Sequence, residues 1–202
     1  VLIGISGLIG SGKSTVADIL IKDYGFVRLS FADSLKDAVS KVFCWERALL
    51  EGDTAESRHW REQVDTWWAD KLSLPYLTPR WVLQYWGTEL CRNNFHDSIW
   101  ITSMERKLLN ILELNSKNNF VIPDTRFPNE IELITKLSGQ TWCVKRGEDP
   151  YWYNDYVEFG IKPIDIHPSE WEWTRALFNV VINNDGNLDD LNKTIVKLLA
   201  TI

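Results

Sequence analysis

The 202-residue sequence has no run approaching the roughly 18 consecutive apolar residues of a membrane span, and its first residues do not form a cleavable signal. Val1 stands where a Met is expected, so a few further residues are expected upstream. There is no basic excess. The 22 Lys and Arg against 28 Asp and Glu leave a net charge of −6, which speaks against a binder of duplex nucleic acid or of acidic membranes. The three cysteines, Cys44, Cys91 and Cys143, are far apart and show no CxxC spacing. That count suits neither a zinc site nor a disulfide framework and points to a reducing cytoplasm. Internal repeats and low-complexity segments are also missing, which favours one domain over an array. Tryptophan, in contrast, is plentiful, with 11 residues in all. Eight of them (Trp45, Trp60, Trp67, Trp68, Trp81, Trp86, Trp100 and Trp142) fall between positions 45 and 142. Core packing plus a surface for self-association, as in a homodimer, accounts for them; stacking of one or two on a planar ligand is the alternative.

Hydropathy patterning suggests an α/β domain. Val1–Ser6 is an apolar run closed by glycine, as in a buried central strand. Val16, Ile19, Leu20 and Tyr24 then share one helical face, and Gly25 stops the helix. Phe26–Ser30 reads as a second strand, and the capping-box spacing of Ser34 and Asp37 opens a helix with Leu35, Val39 and Val42. Residues 45–79 break the alternation and read as one or two inserted helices. A helix from about Pro79 to Asn94 follows, with proline in its first turn, and another from about Asp97 to Leu114 buries Ile101, Met104, Leu108, Ile111 and Leu112. Further strands are expected at 119–123, 141–146 and 178–182, with a helix from about Asn129 to Leu137. The stretch from Gly147 to about Pro168 reads as loop-rich. Asn187, followed by Asp190, opens a last helix with Leu191, Ile195 and Leu198 on its apolar stripe. The expectation is a single domain over 1–202 with a five-stranded parallel sheet in a three-layer fold. A helical insertion over about 45–95 and a lid-like segment over about 147–168 would be its appendages.

Between the first strand and first helix, Gly7-Leu-Ile-Gly-Ser-Gly-Lys-Ser14 matches GxxxxGK[ST] in full. Gly7, Gly10 and Gly12 let the backbone curl so that successive N–H groups, including that of Ser11, point at phosphate oxygens, and the helix N-terminus adds its positive end. Lys13 can reach β- and γ-phosphates, the Ser14 hydroxyl can ligate Mg²⁺, and Thr15 can donate to an α-phosphate. This specifies a nucleoside triphosphate site but not a reaction. No NKxD-type guanine reader accompanies it.

A second anion site would distinguish a small-molecule kinase. The run Phe120-Val-Ile-Pro-Asp-Thr-Arg-Phe127 puts Asp124 at a strand end, where it would sit beside the metal, or serve only as a turn former. Arg126 would lie at the carboxyl edge of the sheet; the other reading is a solvated arginine or one paired with Glu130. Lys36, Arg80 and Arg92 are further basic candidates, and the arginine fork suits a monophosphate. Gln84, one turn from Arg80, can read a base edge because its amide both donates and accepts. Arg146 ends the fourth strand, where a lid arginine could neutralise charge on a moving phosphoryl group, although the residues after it are acidic and aromatic. Ser169 and Glu172 have capping-box spacing.

The phosphate loop together with Phe31-Ala-Asp-Ser-Leu-Lys36, Thr78-Pro-Arg80, Leu83-Gln-Tyr-Trp-Gly-Thr-Glu89, Pro123-Asp-Thr-Arg126 and Ile182-Asn-Asn-Asp-Gly186 resembles the phage-type deoxynucleoside monophosphate kinases. The resemblance covers nearly the whole chain. It implies transfer of the ATP γ-phosphoryl group, with Mg²⁺, to a deoxynucleoside monophosphate in the host cytoplasm. Arg80 and Arg126 would clamp the acceptor phosphate with help from Lys36, and Asp33 would orient the acceptor or its metal-bound water. Asn184, Asp185 and Gly186 would approach the adenine, or simply form a tight turn feeding the cap at Asn187. A kinase similar to dephospho-coenzyme A kinase and a non-catalytic ATP-binding module are the competing readings.

Overall fold

The computed structural model describes residues 1–114 and 118–202. In chain order the elements are β1 (Leu2–Gly7), α1 (Lys13–Tyr24), β2 (Val27–Arg28), α2 (Asp33–Phe43), α3 (Ala55–Glu62), α4 (Thr66–Leu72) and α5 (Pro79–Gln84). They continue with α6 (Ile99–Leu114), β3 (Phe120–Ile122), α7 (Pro128–Lys136), β4 (Gln140–Lys145), α8 (Tyr153–Phe159), β5 (Val180–Asn183) and α9 (Leu188–Leu199). Two compact units emerge, one of Val1–Ser30 with Glu105–Ile202 and one of Phe31–Met104.

The first unit carries a five-stranded sheet, parallel throughout, in the order β2-β3-β1-β4-β5. Residues alternate between its faces, as the pleat demands. Ile3, Ile5, Trp142, Val144 and Ile182 face α1 and α9, where Val16, Ile19, Leu20, Leu191 and Ile195 complete a closed core. Cys143 points the other way, to Ile131 of α7 and Trp173. A Cβ on Gly4 would lie 2.1 Å from the Ile134 side chain, so glycine there lets α7 pack directly on the sheet. This is the three-layer phosphate-loop fold expected from the alternating strands and helices. The chain leaves β1 toward one edge through α1 and leaves β3 toward the other edge through α7. The carboxyl ends of β1 and β3 therefore flank a topological switch point, where ligands collect in such sheets.

Most local boundaries follow the sequence signals. Gly25, at φ 69°, closes α1 with its N–H on Ile21 and Leu20 carbonyls. Asn187 accepts from the N–H groups of Asp189 and Asp190 while Asp190 reaches back to Asn187, a complete capping box. Two capping expectations fail. The helix at Ser34 begins one residue earlier, at Asp33, so Ser34 lies inside α2 and its hydroxyl pairs with that of Ser103 at 2.7 Å. Ser169 caps nothing, because Pro168 starts a 3₁₀ turn one residue earlier and the ring nitrogen Nδ1 of His167 accepts the Ser169 N–H. The stretch after Gly147 is more regular than its composition suggests. It holds α8, which buries Trp152 and Tyr156 against Trp171 and ends at Gly160 with φ 73°.

In the second unit the tryptophans are mainly core. Trp45 is buried with Phe43, Leu50 and Leu77, and Trp60, Trp68, Trp81, Trp86 and Trp100 pack around them. Three indoles have their N–H satisfied: Trp45 by Asp65, Trp68 by the Phe43 carbonyl and Trp100 by the Gly87 carbonyl. The helix expected over 79–94 is α-helical only to Gln84 and continues as a π-helix over Tyr85–Asn93. Its wider turns bury Gly87 and Arg92, and Gly87 sits tightly against Leu35. On α6, Ile101, Met104 and Leu108 are buried as expected; the side chain of Leu112 lies outside the described residues.

Candidate active site

The loop Gly7–Ser14 joins the carboxyl end of the central strand to the N-terminus of α1. Glycine is required at position 12, where φ is 98° and a Cβ would come within 2.2 Å of the Asn184 amide nitrogen. At Gly7 a Cβ would sit 2.4 Å from the Val144 carbonyl oxygen and 2.7 Å from Ser11 Oγ. The loop is thus wound tightly against β4 and the turn after β5. Lys13 folds back over it and donates to the Gly7 and Leu8 carbonyls, each at 2.7 Å. Burial, and next the charge of Arg126, lower the Lys13 pKa from its ordinary 10.5 to about 8, while Glu170 pulls the other way. Ser11 Oγ is buried and has no hydrogen-bond partner among the described residues. A buried hydroxyl without a partner is costly, and an incoming oxygen or donor would satisfy it. Ser14 and Thr15, at the start of α1, are exposed.

Asp124 and Arg126 follow β3. Asp124 Oδ2 accepts from Ser30 Oγ at 2.6 Å, and Ser6 of β1 donates to the Thr125 carbonyl at 2.9 Å, fixing this turn beside the phosphate loop. Glu130, buried at the start of α7, accepts the main-chain N–H groups of Arg126 and Phe127. Its carboxylate therefore serves the helix end and not the guanidinium. The Arg126 side chain instead donates through Nη1 to Glu170 Oε1 at 2.7 Å. Arg126 and Glu170 are both close enough to Lys13 to act on its titration. Lys13, Arg126 and Glu170 therefore lie together beside the phosphate loop.

In the second unit, Lys36 is buried and donates to Glu51 at 2.7 Å. Arg47 joins the same group, pairing with Asp37 at 2.6 Å, Asp33 at 3.4 Å and Glu51. Burial raises the Glu51 pKa, but its bonds to Lys36 and Arg47 outweigh this and hold the carboxyl below its usual value. Arg80 lies on the surface with Glu62 at 2.6 Å, and Gln84 is exposed one turn along. Arg92 is buried, with Nη1 3.9 Å from Asp97.

A family model described as deoxynucleotide monophosphate kinase matches residues 73–195. A protein of Acanthamoeba polyphaga mimivirus bearing the same name is 31% identical over 205 aligned residues, which cover 97% of this chain and 94% of the relative. The chain belongs to the deoxynucleotide monophosphate kinase family. The deoxynucleoside-5'-monophosphate kinase of Escherichia phage T5 is 28% identical over 186 residues, covering 68% of this kinase and 73% of the phage enzyme. Among solved structures, TT1252 of Thermus thermophilus shares the fold across 100% of this kinase and 97% of its own chain, with a TM-score of 0.52 and 20% identity. Family membership makes the protein a kinase with a small nucleotide as substrate, and it implies the use of ATP.

Of the kinase residues singled out from sequence, Lys13 and Arg126 come together, Ser11 lies in the loop that carries Lys13, and Asp124 is held by Ser30 in the turn after β3, whereas Arg146 is exposed just after β4. Asn184 lies on the phosphate loop, with its amide on the Ser11 carbonyl at 2.9 Å. Asp185 accepts from the Gly147 N–H at 2.7 Å, and Gly186 packs on Asp190. Asp33, Lys36, Arg80, Gln84 and Arg92 all belong to the helical unit. Two partners in the site were missed. Ser30 stands two residues beyond β2 with nothing local to tie it to Asp124, and no local spacing ties Glu170 to Arg126.

Proposed function

We propose that this kinase transfers the γ-phosphoryl group of ATP, with Mg²⁺, to a deoxynucleoside 5'-monophosphate, giving ADP and the deoxynucleoside diphosphate. The observation that carries the reading is the joint presence of Lys13, Arg126 and a buried Ser11 hydroxyl, without a partner among the described residues, around one glycine-rich loop. Such a site offers donors and positive charge where phosphate oxygens gather, and phosphoryl transfer asks a protein for little more than positioning and charge neutralisation. Gly7, Gly10, Ser11, Gly12 and Lys13 would hold the polyphosphate, with Thr15 at the helix start. Bound Mg²⁺ would supply charge neutralisation between phosphate oxygens. Ser14 and Asp124 would hold it, largely through phosphate and water, since no cluster of three or more metal-ligating side chains occurs among the described residues.

Arg126, once a phosphate competes with Glu170, would turn its fork on the transferred or accepting group. Arg80 and Gln84 would receive the acceptor phosphate and base, with Asp33, Lys36 and Arg92 shaping the helical unit that presents them. Arg80 is suited to this because its pair with Glu62 lies on the surface and costs little to exchange. The test is a coupled ADP-release assay across the common deoxynucleoside and ribonucleoside monophosphates. Turnover with one or more deoxynucleoside monophosphates supports the reading, and ATP binding without turnover of any acceptor overturns it.

A further inference from the structure

Asn184 belongs to the Asn-Asp-Gly stretch that family resemblance associates with the adenine. Its surroundings suggest a different task. The residue is buried, and its main-chain N–H donates to the Lys145 carbonyl at 2.8 Å, which extends the β4–β5 pairing and anchors its backbone. The side-chain amide donates to the Ser11 carbonyl at 2.9 Å, across 173 residues of sequence. Because the peptide unit is planar and trans, fixing the Ser11 carbonyl toward Asn184 directs the Gly12 N–H the opposite way. The amide also occupies the space a Cβ at position 12 would need. Asn184 and Gly12 are thus complementary in shape, and the loop is held wound by a contact from the far side of the sheet. Asp185 ties the same turn to Gly147, so the support is itself braced.

We infer that Asn184 is a positioning residue for the phosphate loop, holding its peptide groups in the phosphate-binding arrangement before nucleotide arrives. The inference rests on the reading that this loop binds the ATP phosphates. Preorganisation of this kind strengthens binding by removing an ordering cost, and it acts on any ligand carrying the polyphosphate, with or without a base. A contact to the adenine would act only on ligands that carry one.

The two roles separate when ATP is compared with inorganic tripolyphosphate. Both ligands are titrated by calorimetry into wild type, Asn184→Ala and the near-isosteric Asn184→Asp, with folding checked by circular dichroism. Loss of the buried amide donor is expected to weaken both ligands by a similar factor, about tenfold for Asn184→Ala. The loss is expected to be larger for Asn184→Asp, which sets a carboxylate against the Ser11 carbonyl. The kcat/KM for ATP should fall in parallel. Weakened ATP binding with unchanged tripolyphosphate binding in both variants would overturn the inference in favour of an adenine contact. Unchanged binding of both ligands would also overturn it. Lys13→Ala serves as the control. If that variant binds tripolyphosphate as wild type does, the phosphate-loop reading itself fails, a result distinct from failure at Asn184 alone.

Discussion

Replacing Lys13 by Met should make the ligand-free protein more stable while removing its response to nucleotide. Methionine keeps the length and volume of the lysine stem but not its charge. In the folded state burial and Arg126 hold the Lys13 pKa near 8, against an ordinary 10.5. At ~1.4 kcal/mol per pH unit, that gap is about 3 kcal/mol of cost for keeping the ammonium charged. The bonds to the Gly7 and Leu8 carbonyls are lost in the variant, which takes back about 1 kcal/mol each. The net gain is about 1 kcal/mol, or a rise in Tm of about 2–4 °C for a chain of this size. Calorimetric melting at pH 7 tests it, with and without ATP at a hundredfold excess over Kd, where the wild type should gain about 2.7 kcal/mol and the variant almost nothing. The sign with pH follows from the lowered lysine pKa. The charging cost is fully present below about 8 and is relieved as pH rises from there through 10.5, so at ~1.4 kcal/mol per pH unit the difference between the two proteins should close within about one unit above pH 8 and reverse beyond it. A ligand-free variant that melts several degrees below wild type would refute the idea that the loop stores electrostatic strain around its lysine.

The same titration governs binding. If the ammonium must be charged to hold phosphate, ATP affinity should fall about tenfold per pH unit above pH 8, and a flat profile to pH 9.5 in isothermal titration would count against it. Glu170→Gln removes a counter-ion from Arg126 in a pair that is partly exposed, so tripolyphosphate should bind about two- to fivefold more tightly; weaker binding would mean that Glu170 helps to place the arginine. Arg80→Ala should raise KM for the acceptor far more than KM for ATP in steady-state kinetics, and equal effects would remove Arg80 from the acceptor side. Asn187→Ala, by leaving Asp189 and Asp190 N–H groups uncapped, should cost about 1 kcal/mol in urea denaturation with kcat unchanged.

By itself the sequence determined the elements whose signals are local. The phosphate loop is contiguous, β1 and β4 are short apolar runs, and the ends of α1 and α9 are written in single residues, Gly25 and Asn187, acting on their own neighbours. Where the local signal was ambiguous, neighbouring residues decided: Pro168 started a turn before Ser169 could cap, and the start of α2 at Asp33 took in Ser34. Tertiary structure alone decided which charges answer which. Ser30 meets Asp124 across 94 residues, Arg126 meets Glu170 across 44, and Asn184 meets Ser11 across 173. No periodicity or capping pattern encodes such pairs, because a parallel sheet brings together loops from the ends of strands that are distant along the chain. The role of each charged side chain depends on which partner reaches it there. The glycine-rich loop and its lysine could thus be read directly as a motif, whereas the counter-ion of Arg126 and the contact behind Gly12 came into existence only when the strands were placed side by side.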